Sequence, residues 1–197
     1  AQASAETGFP SKPVRLVVPF PAGGGTDAMA RALADALTRE LGQPVIVDNK
    51  AGAGTPIAND AVAKSAPDGH TLVLNTSAIA IVPSLHAKLP YAADKAFAPI
   101  VLLGRAPNVA VVRAESPLAW ADDFLAQARA KPGWLSYGSA GNGTSTHLAA
   151  ELLKSTAKVF VTHVPYRAAA PAMADVMAGQ IDVAFGTLPS VAPLLAS

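Results

Sequence analysis

The 197-residue sequence contains no cysteine. Thiol catalysis, disulfides and cysteine-type zinc sites are thereby excluded. The compartment is left open, because exported bacterial proteins often lack cysteine too. No apolar run approaches the roughly 18–20 residues that a bilayer-spanning helix needs. Net charge is +1, and the 15 Lys and Arg residues are scattered. A basic cluster of the kind that marks a nucleic-acid or membrane-surface footprint is therefore missing. His70, His86, His147 and His163 lack metal-ligand spacing and read as surface or cap residues. No pair of carboxylates is placed for general acid–base work.

Several catalytic and cofactor motifs are incomplete. No G-x-x-x-x-G-K-[ST] phosphate loop occurs. Gly52-Ala53-Gly54 follows a strand-like run, but Ile57 stands where a dinucleotide fingerprint wants Gly or Ala, and Pro56 intrudes. Gly138-Ser139-Ala140-Gly141 does not fit the G-x-S-x-G elbow of serine hydrolases. Ser145 and His147 are two apart at a helix start, so they do not face each other. Neither a cofactor nor a metal is expected.

What is present is a glycine-rich turn between a strand and a helix. Residues 14–18, VRLVV, are apolar and β-branched, as a buried parallel strand should be. Pro19-Phe20-Pro21-Ala22-Gly23-Gly24-Gly25-Thr26-Asp27 follows, then a helix to Leu41 with Thr26 or Asp27 as its N-cap. Met29, Leu33, Leu37 and Leu41 form its buried stripe, backed by Ala30 and Ala34. Arg31, Asp35 and Arg39 form a solvated face, and Gly42 ends the helix. Bare loop N–H groups and the positive end of a helix dipole make such a junction suited to an anion. The alternative is a turn whose glycines only let strand meet helix. Phe20 suits either core or the aromatic wall of a pocket.

The plan repeats along the chain. Residues 44–47 read as a second strand, 48–55 as a second small-residue loop, 57–63 as a short helix, 66–69 as a turn and 71–75 as a third strand ending in Thr76-Ser77-Ala78. Residues 79–97 read as irregular, 100–103 as a strand and 104–107 as a break. A second series then begins, with a strand from Val109 and a helix from Ser116-Pro117 to about Ala130. Next come a strand at 134–137, the loop Gly138-Ser139-Ala140-Gly141-Asn142-Gly143-Thr144-Ser145 and a helix over 146–154. A strand at 159–164 ends in Pro165-Tyr166-Arg167, and an alanine-rich helix covers 168–179. A last strand spans 181–185, and another helix opens at Pro189. Half of the sequence is apolar, enough for substantial cores. Successive strand–loop–helix units predict an α/β fold of two lobes with parallel-rich sheets flanked by helices. The lobes are placed at 1–104 and 105–197, and the loops lie at the carboxyl ends of the strands, where ligands sit in such sheets. In the loop 138–145, Ser, Thr and Asn side chains would join backbone amides as neutral donors to a carboxylate. Tyr166 suits a cleft wall or plain packing.

The motifs taken together resemble a known family. The run 13–27, Pro-x-Arg-Leu-Val-Val-Pro-Phe-Pro-Ala-Gly-Gly-Gly-Thr-Asp, is followed by Val-Asp-Asn-Lys-Ala-Gly-Ala-Gly (47–54) and Ala-Pro-Asp-Gly-His-Thr-Leu (66–72). Tyr-Gly-Ser-Ala-Gly-Asn-Gly-Thr-Ser-Thr-His-Leu (137–148), His-Val-Pro-Tyr-Arg (163–167) and Gly-Gln-Ile-Asp-Val-Ala-Phe (179–185) continue in order. This resembles the Bug family, the solute receptors of tripartite tricarboxylate transporters. The resemblance implies a type II periplasmic-binding fold, export to the bacterial periplasm and two lobes closing on a small organic acid. Dicarboxylates, amino acids and aromatic carboxylates all remain open. Carried over by position, the ligand-facing residues are Phe20, Ala22, Gly23, Gly24, Gly25, Thr26, Asp27, Thr76, Ser77, Ala78, Ser139, Ala140, Gly141, Asn142, Gly143, Thr144, Ser145, Tyr166 and Phe185.

The implied partners are membrane transporter subunits or a sensor protein. Ala1-Gln2-Ala3-Ser4-Ala5 suits the region at or just after a signal-peptide cleavage site, though a chain shortened by other means would begin the same way. The resemblance also implies a C-terminal return segment beyond residue 197 that completes the first lobe. Three positions depart from the family pattern. Lys50-Ala51 replaces Arg-Pro, Thr55-Pro56 replaces Gly-Asn, and Gly186 replaces an Asp after the last aromatic. The alternatives are a serine-dependent hydrolase or acyl transferase using Ser139 or Ser145 with His147, and a ligand-sensing domain for a signalling partner.

Overall fold

β1 (Val14–Val18) is the middle strand of a three-stranded parallel sheet ordered β2-β1-β3, between β2 (Val45–Asn49) and β3 (Thr71–Val73). The computed structural model describes residues 8–52 and 55–195. Val14, Leu16, Val17 and Val18 are buried, as a strand covered on both faces requires. Val18 pairs with Asn49, so β1 and β2 end level and their following loops emerge side by side.

The helix after β1 is α1 (Gly25–Leu41). Ala30 and Ala34 are its deepest contacts with the sheet, while Leu33, Leu37 and Leu41 pack at the margin of that cluster. Met29, expected in the stripe, is 43% exposed. Gly42 takes a left-handed conformation (φ 66°) and donates its N–H to the Thr38 carbonyl, closing the helix as expected. α2 (Pro56–Ala63) follows β2. α3 (Ala78–Leu85) follows β3 within the stretch read as irregular. Pro83 inside it argues against a helix by sequence, because proline lacks the N–H that an interior helical bond needs. The helix is short enough to hold it.

The second sheet is ordered β4-β7-β5-β6, built from β4 (Asn108–Val111), β5 (Ser136–Ser139), β6 (Thr162–Pro165) and β7 (Val183–Thr187). β4 runs antiparallel to β7 and the other pairings are parallel. Successive side chains of β7 point to opposite faces. Val183 and Phe185 join the core under α4 (Ala121–Ala130) and α5 (Ser145–Ala157). Ala184 joins the core under α6 (Ala169–Met177) and α7 (Leu188–Val191), which a short 3-10 turn (Ala192–Leu194) extends.

Some boundaries differ from the sequence reading. Residues 100–103 are not a strand: Ile100, Val101, Leu102 and Leu103 are exposed. Apolar character favours a strand, but a strand exists only where its backbone finds a partner, and none is paired with this segment among the described residues. The helix expected from Ser116 begins at Ala121, because Ser116 Oγ accepts the Leu118 N–H in a local turn and Trp120 becomes the N-cap. β5, β6 and β7 each start two or three residues later than expected, beyond apolar lead-in residues such as the exposed Trp134 and Phe160.

Candidate functional site

Asp27 sits in the first turn of α1, not at its cap, and is buried. The N-cap is Gly24, which offers no side chain. The Asp27 carboxylate points back into the glycine loop. Its Oδ2 accepts the Gly23 N–H and Arg31 Nε, each at 2.9 Å, and its Oδ1 accepts Asn49 Nδ2 at 2.9 Å. Asn49 Nδ2 also reaches the Phe20 carbonyl at 3.0 Å, and Arg31 donates to Asn49 Oδ1 at 3.4 Å. Arg31, then the Gly23 N–H, hold the Asp27 carboxyl at about 2 against the opposing effect of burial. The loop is thus pinned from behind by β2 and by its own helix. The N–H groups opening α1 carry no side-chain cap, as the first turn of any helix leaves them.

The second glycine loop, after β5, is organised differently. Its N–H groups are mostly occupied within the lobe. Ala140 donates to Thr146 Oγ1 (3.2 Å), Gly141 to Ser139 Oγ (3.2 Å), Gly143 to His147 Nδ1 (3.2 Å) and Thr144 to the Gly141 carbonyl (3.3 Å). Thr144 caps α5 by accepting the His147 N–H and donates to the Gly141 carbonyl at 2.7 Å. Gly141 (φ 115°) and Gly143 (φ 78°) use backbone conformations that side chains rarely adopt. Ser145 is turned away: its hydroxyl and carbonyl both bond Asn108 of β4. Ser139 Oγ lies 2.7 Å from His163 Nε2, a nucleophile–base distance, yet Ser139 is fully buried and closed off from solvent.

Loops of the two lobes meet. A Cβ on Gly25 would stand 2.8 Å from Ser190 Oγ of α7, and Ser190 Oγ is itself 2.9 Å from Thr187 Oγ1. A Cβ on Gly143 would stand 3.1 Å from Leu85 and 3.2 Å from Val82 of α3. Where the lobes touch, the opening of α1 therefore meets α7, and the loop before α5 meets the C-terminal half of α3. Thr76 Oγ1 accepts the Ala78 N–H at 3.3 Å and shapes the start of α3. The side chains of Thr26, Ser77 and Asn142 make no hydrogen bond within the described residues. What this edge offers a ligand is neutral donors and helix N-termini. Hydrogen bonds from such donors to an ionised carboxylate are about twice as strong as neutral–neutral ones.

The family model described as the tripartite tricarboxylate transporter family receptor matches residues 29–197. The chain belongs to that family. A Pseudomonas sp. (strain P51) protein described as a UPF0065 protein in the tcbD-tcbE intergenic region is 43% identical over 182 residues, covering 92% of this chain and 54% of that protein. Protein BugT of Bordetella pertussis is 38% identical over 193 residues, covering 97% of this chain and 59% of its own length. The chain thus spans little more than half of these relatives. Among solved structures, an R. palustris protein with adipate superposes with a TM-score of 0.92 at 35% identity, covering 96% of this chain and 64% of that one. MatC from Rhodopseudomonas palustris with bound malate gives 0.85 at 34%, covering 95% and 64%. The fold is the two-lobed type II periplasmic-binding architecture.

Within this receptor fold the expected ligand-facing residues divide. Ala22, Gly23, Gly24, Gly25 and Thr26 lie in the loop and start of α1, Thr76, Ser77 and Ala78 at the start of α3, and Asn142 and Gly143 in the loop before α5. Asp27 lies behind its loop, and Ser139, Thr144 and Ser145 have their hydroxyls engaged within the second lobe. Phe185 does not reach the loops: it is 6% exposed in the core, edge-on to Tyr137 at 5.6 Å. Its place in β7 makes it odd in the alternation that sends Ala184 the other way. The Tyr166 hydroxyl donates to Asp175 of α6 at 2.6 Å, and burial together with that bond pushes it up to about 12. Of the second loop, Ala53 and Gly54 lie outside the described residues. Asn49 and Ser190 carry site geometry that no sequence signal marked, while His147 and His163, expected at the surface or at a cap, are half-buried and stacked on each other. The spacing His147–Glu151–Lys154, one face of a helix, is the signal that marks the histidine cluster.

Proposed function

We propose that this chain is the capturing part of a periplasmic solute receptor that binds a small organic acid between its two lobes, 1–104 and 105–197. The observation that carries the reading is the close contact between the lobes at two glycines, Gly25 against Ser190 of α7 and Gly143 against Val82 and Leu85 of α3, where an added Cβ would be crowded. Backbone N–H groups and the hydroxyls of Thr26 and Ser77 serve the carboxylate, and lobe closure removes water from it. The adipate and malate found in two related structures support a carboxylate class that includes dicarboxylates. The partner of the closed form is the membrane component of a tripartite tricarboxylate-type transporter. The chain acts by binding, not catalysis.

A thermal-shift panel tests this reading. Dicarboxylates, amino acids and aromatic carboxylates are scanned against the chain. At a hundredfold excess over Kd, a ligand stabilises by about 2.7 kcal/mol. A shift confined to carboxylates is expected. No shift with any acid in the panel overturns the reading.

A further inference from the structure

A stack of three rings lies directly beneath the second glycine loop. Tyr137 of β5 and His163 of β6 stand opposite each other in the sheet and stack with ring centroids 4.6 Å apart. His147 of α5 stacks on the other face of His163 at 4.4 Å and 17°. Each histidine meets the loop through one ring nitrogen. His147 Nδ1 is 3.2 Å from the Gly143 nitrogen. That nitrogen is a donor only, so Nδ1 must present a lone pair. His163 Nε2 is 2.7 Å from Ser139 Oγ, which itself accepts the Gly141 N–H at 3.2 Å. Ser139 is fully buried, and His163 is the acceptor within reach of its hydroxyl proton. His163 Nε2 therefore presents a lone pair as well.

We propose that His147 and His163 are the positioning residues of the second ligand loop, holding its backbone as neutral imidazoles, and that protonating the pair releases the loop and the ligand it grips. This rests on the carboxylate-receptor reading above and adds a pH dependence to the same site. A proton on His147 Nδ1 faces the Gly143 N–H donor to donor and breaks that bond. A proton on His163 Nε2 leaves the Ser139 hydroxyl without an acceptor. Two imidazolium rings stacked face to face repel each other.

The charged groups around the pair are accounted for. Glu151 of α5 faces both rings and favours their protonation, while Lys154 of α5 opposes it. Glu151 is held by the Tyr137 hydroxyl and by Lys154, each at 2.6 Å. Tyr137 is pushed up by burial and by Glu151, so it stays neutral. Burial dominates at the histidines: His147 is lowered, and His163 is lowered to about 4 with His147 as a second cause. Below the stack the balance therefore lies with the neutral pair at neutral pH, and the first proton belongs to the pair as a unit.

The test uses adipate and malate as probes, by calorimetry on the chain, from about pH 7.5 to about pH 4, a range that runs from above the ordinary histidine value down to the value to which His163 is lowered. His147→Asn keeps an acceptor near the Nδ1 position and cannot take up a proton. His147→Phe keeps a stacked ring without an acceptor. At the upper pH, His147→Asn binds like the parent, and His147→Phe binds about tenfold more weakly, the scale of one lost hydrogen bond. The ratio of parent Kd to His147→Asn Kd at each pH cancels the probe's own titration. That ratio rises at least about threefold toward the acid end, as loss of a proton-sensitive bond requires. A flat ratio, or a His147→Phe variant that binds like the parent, overturns the proposal.

If neither probe binds any form at any pH, the carboxylate reading fails for these acids. The histidine proposal is then decided without ligand, by amide exchange at Gly143. The Gly143 N–H should be protected at neutral pH, lose protection on acidification in the parent and keep it in His147→Asn. A Gly143 amide that exchanges freely at neutral pH, or stays protected in acid, overturns it.

Discussion

Asp27 Oδ2 accepts the backbone N–H of Gly23 at 2.9 Å, so a carboxylate four residues along the chain fixes the glycine turn that precedes its own helix. The same oxygen takes Arg31 Nε, and the other takes Asn49. Every partner is a donor. Asp27→Asn places an amide donor against that set and leaves one contact unmade. It is expected to lower stability by about 1–2 kcal/mol, roughly 2–8 °C in Tm for a chain of this size. The Asp27 carboxyl falls from its ordinary 3.8 to about 2 in the folded chain. Its contribution is therefore complete above about 3.8 and is lost as pH falls through about 2, as linkage requires. Arg31 is half-exposed, so solvent screens part of this interaction. Melts of both proteins from neutral to acid pH check it: the difference should shrink in acid, and a constant difference would contradict the assignment.

Gly25→Val puts a side chain where the Cβ alone meets Ser190 Oγ at 2.8 Å. The lobes should be held apart while each core is untouched, so binding falls at least about tenfold with little change in Tm. Gly8→Ala, outside every ligand-facing position, is the control. Its Cβ has nothing within 4 Å, and it should bind normally. Calorimetry on both variants decides it; equal binding by Gly25→Val would show that the contact is not part of closure.

Tyr166→Phe removes the hydroxyl that Asp175 accepts. Stability should drop by about 1–2 kcal/mol, the scale of a charged hydrogen bond, with Kd unchanged within about twofold. A large loss of affinity at unchanged stability would instead place that hydroxyl on the ligand.

Much of this was legible in the sequence because the signals are local. The apolar run 14–18, the glycine turn and the Gly42 stop each depend on neighbours within a few residues. The family motifs then placed the second loop. What was not legible depends on distant pairing. Residues 100–103 have strand composition but no paired partner among the described residues, and Phe185 faces the core because it shares with Val183 the face of β7 that α4 and α5 cover. Asp27 reads as a cap, and only the approach of Asn49 and Arg31 shows that it braces the loop. His147 and His163 are sixteen residues apart and face each other only because β6 lies beside β5 under α5.

The histidine cluster also predicts an acid limb in folding stability. His163 falls from 6.5 to about 4 on folding, through burial first and His147 second. Its folded value is depressed, so its contribution is fully present above about 6.5 and is lost as pH falls toward about 4. Urea melts of the ligand-free chain should show falling stability across that window. His163→Gln, which carries an acceptor but does not titrate, should flatten the slope. An unchanged slope would contradict the burial of a neutral ring.

The central claim is that the meeting loops grip an ionised carboxylate through neutral donors. The most direct measurement is calorimetric titration of the chain with the acid that gives the largest thermal shift, beside its methyl ester at the same concentrations. The account predicts binding of the acid, no measurable binding of the ester and loss of acid binding in Gly25→Val. Equal binding of acid and ester, or acid binding that survives Gly25→Val unchanged, would contradict it.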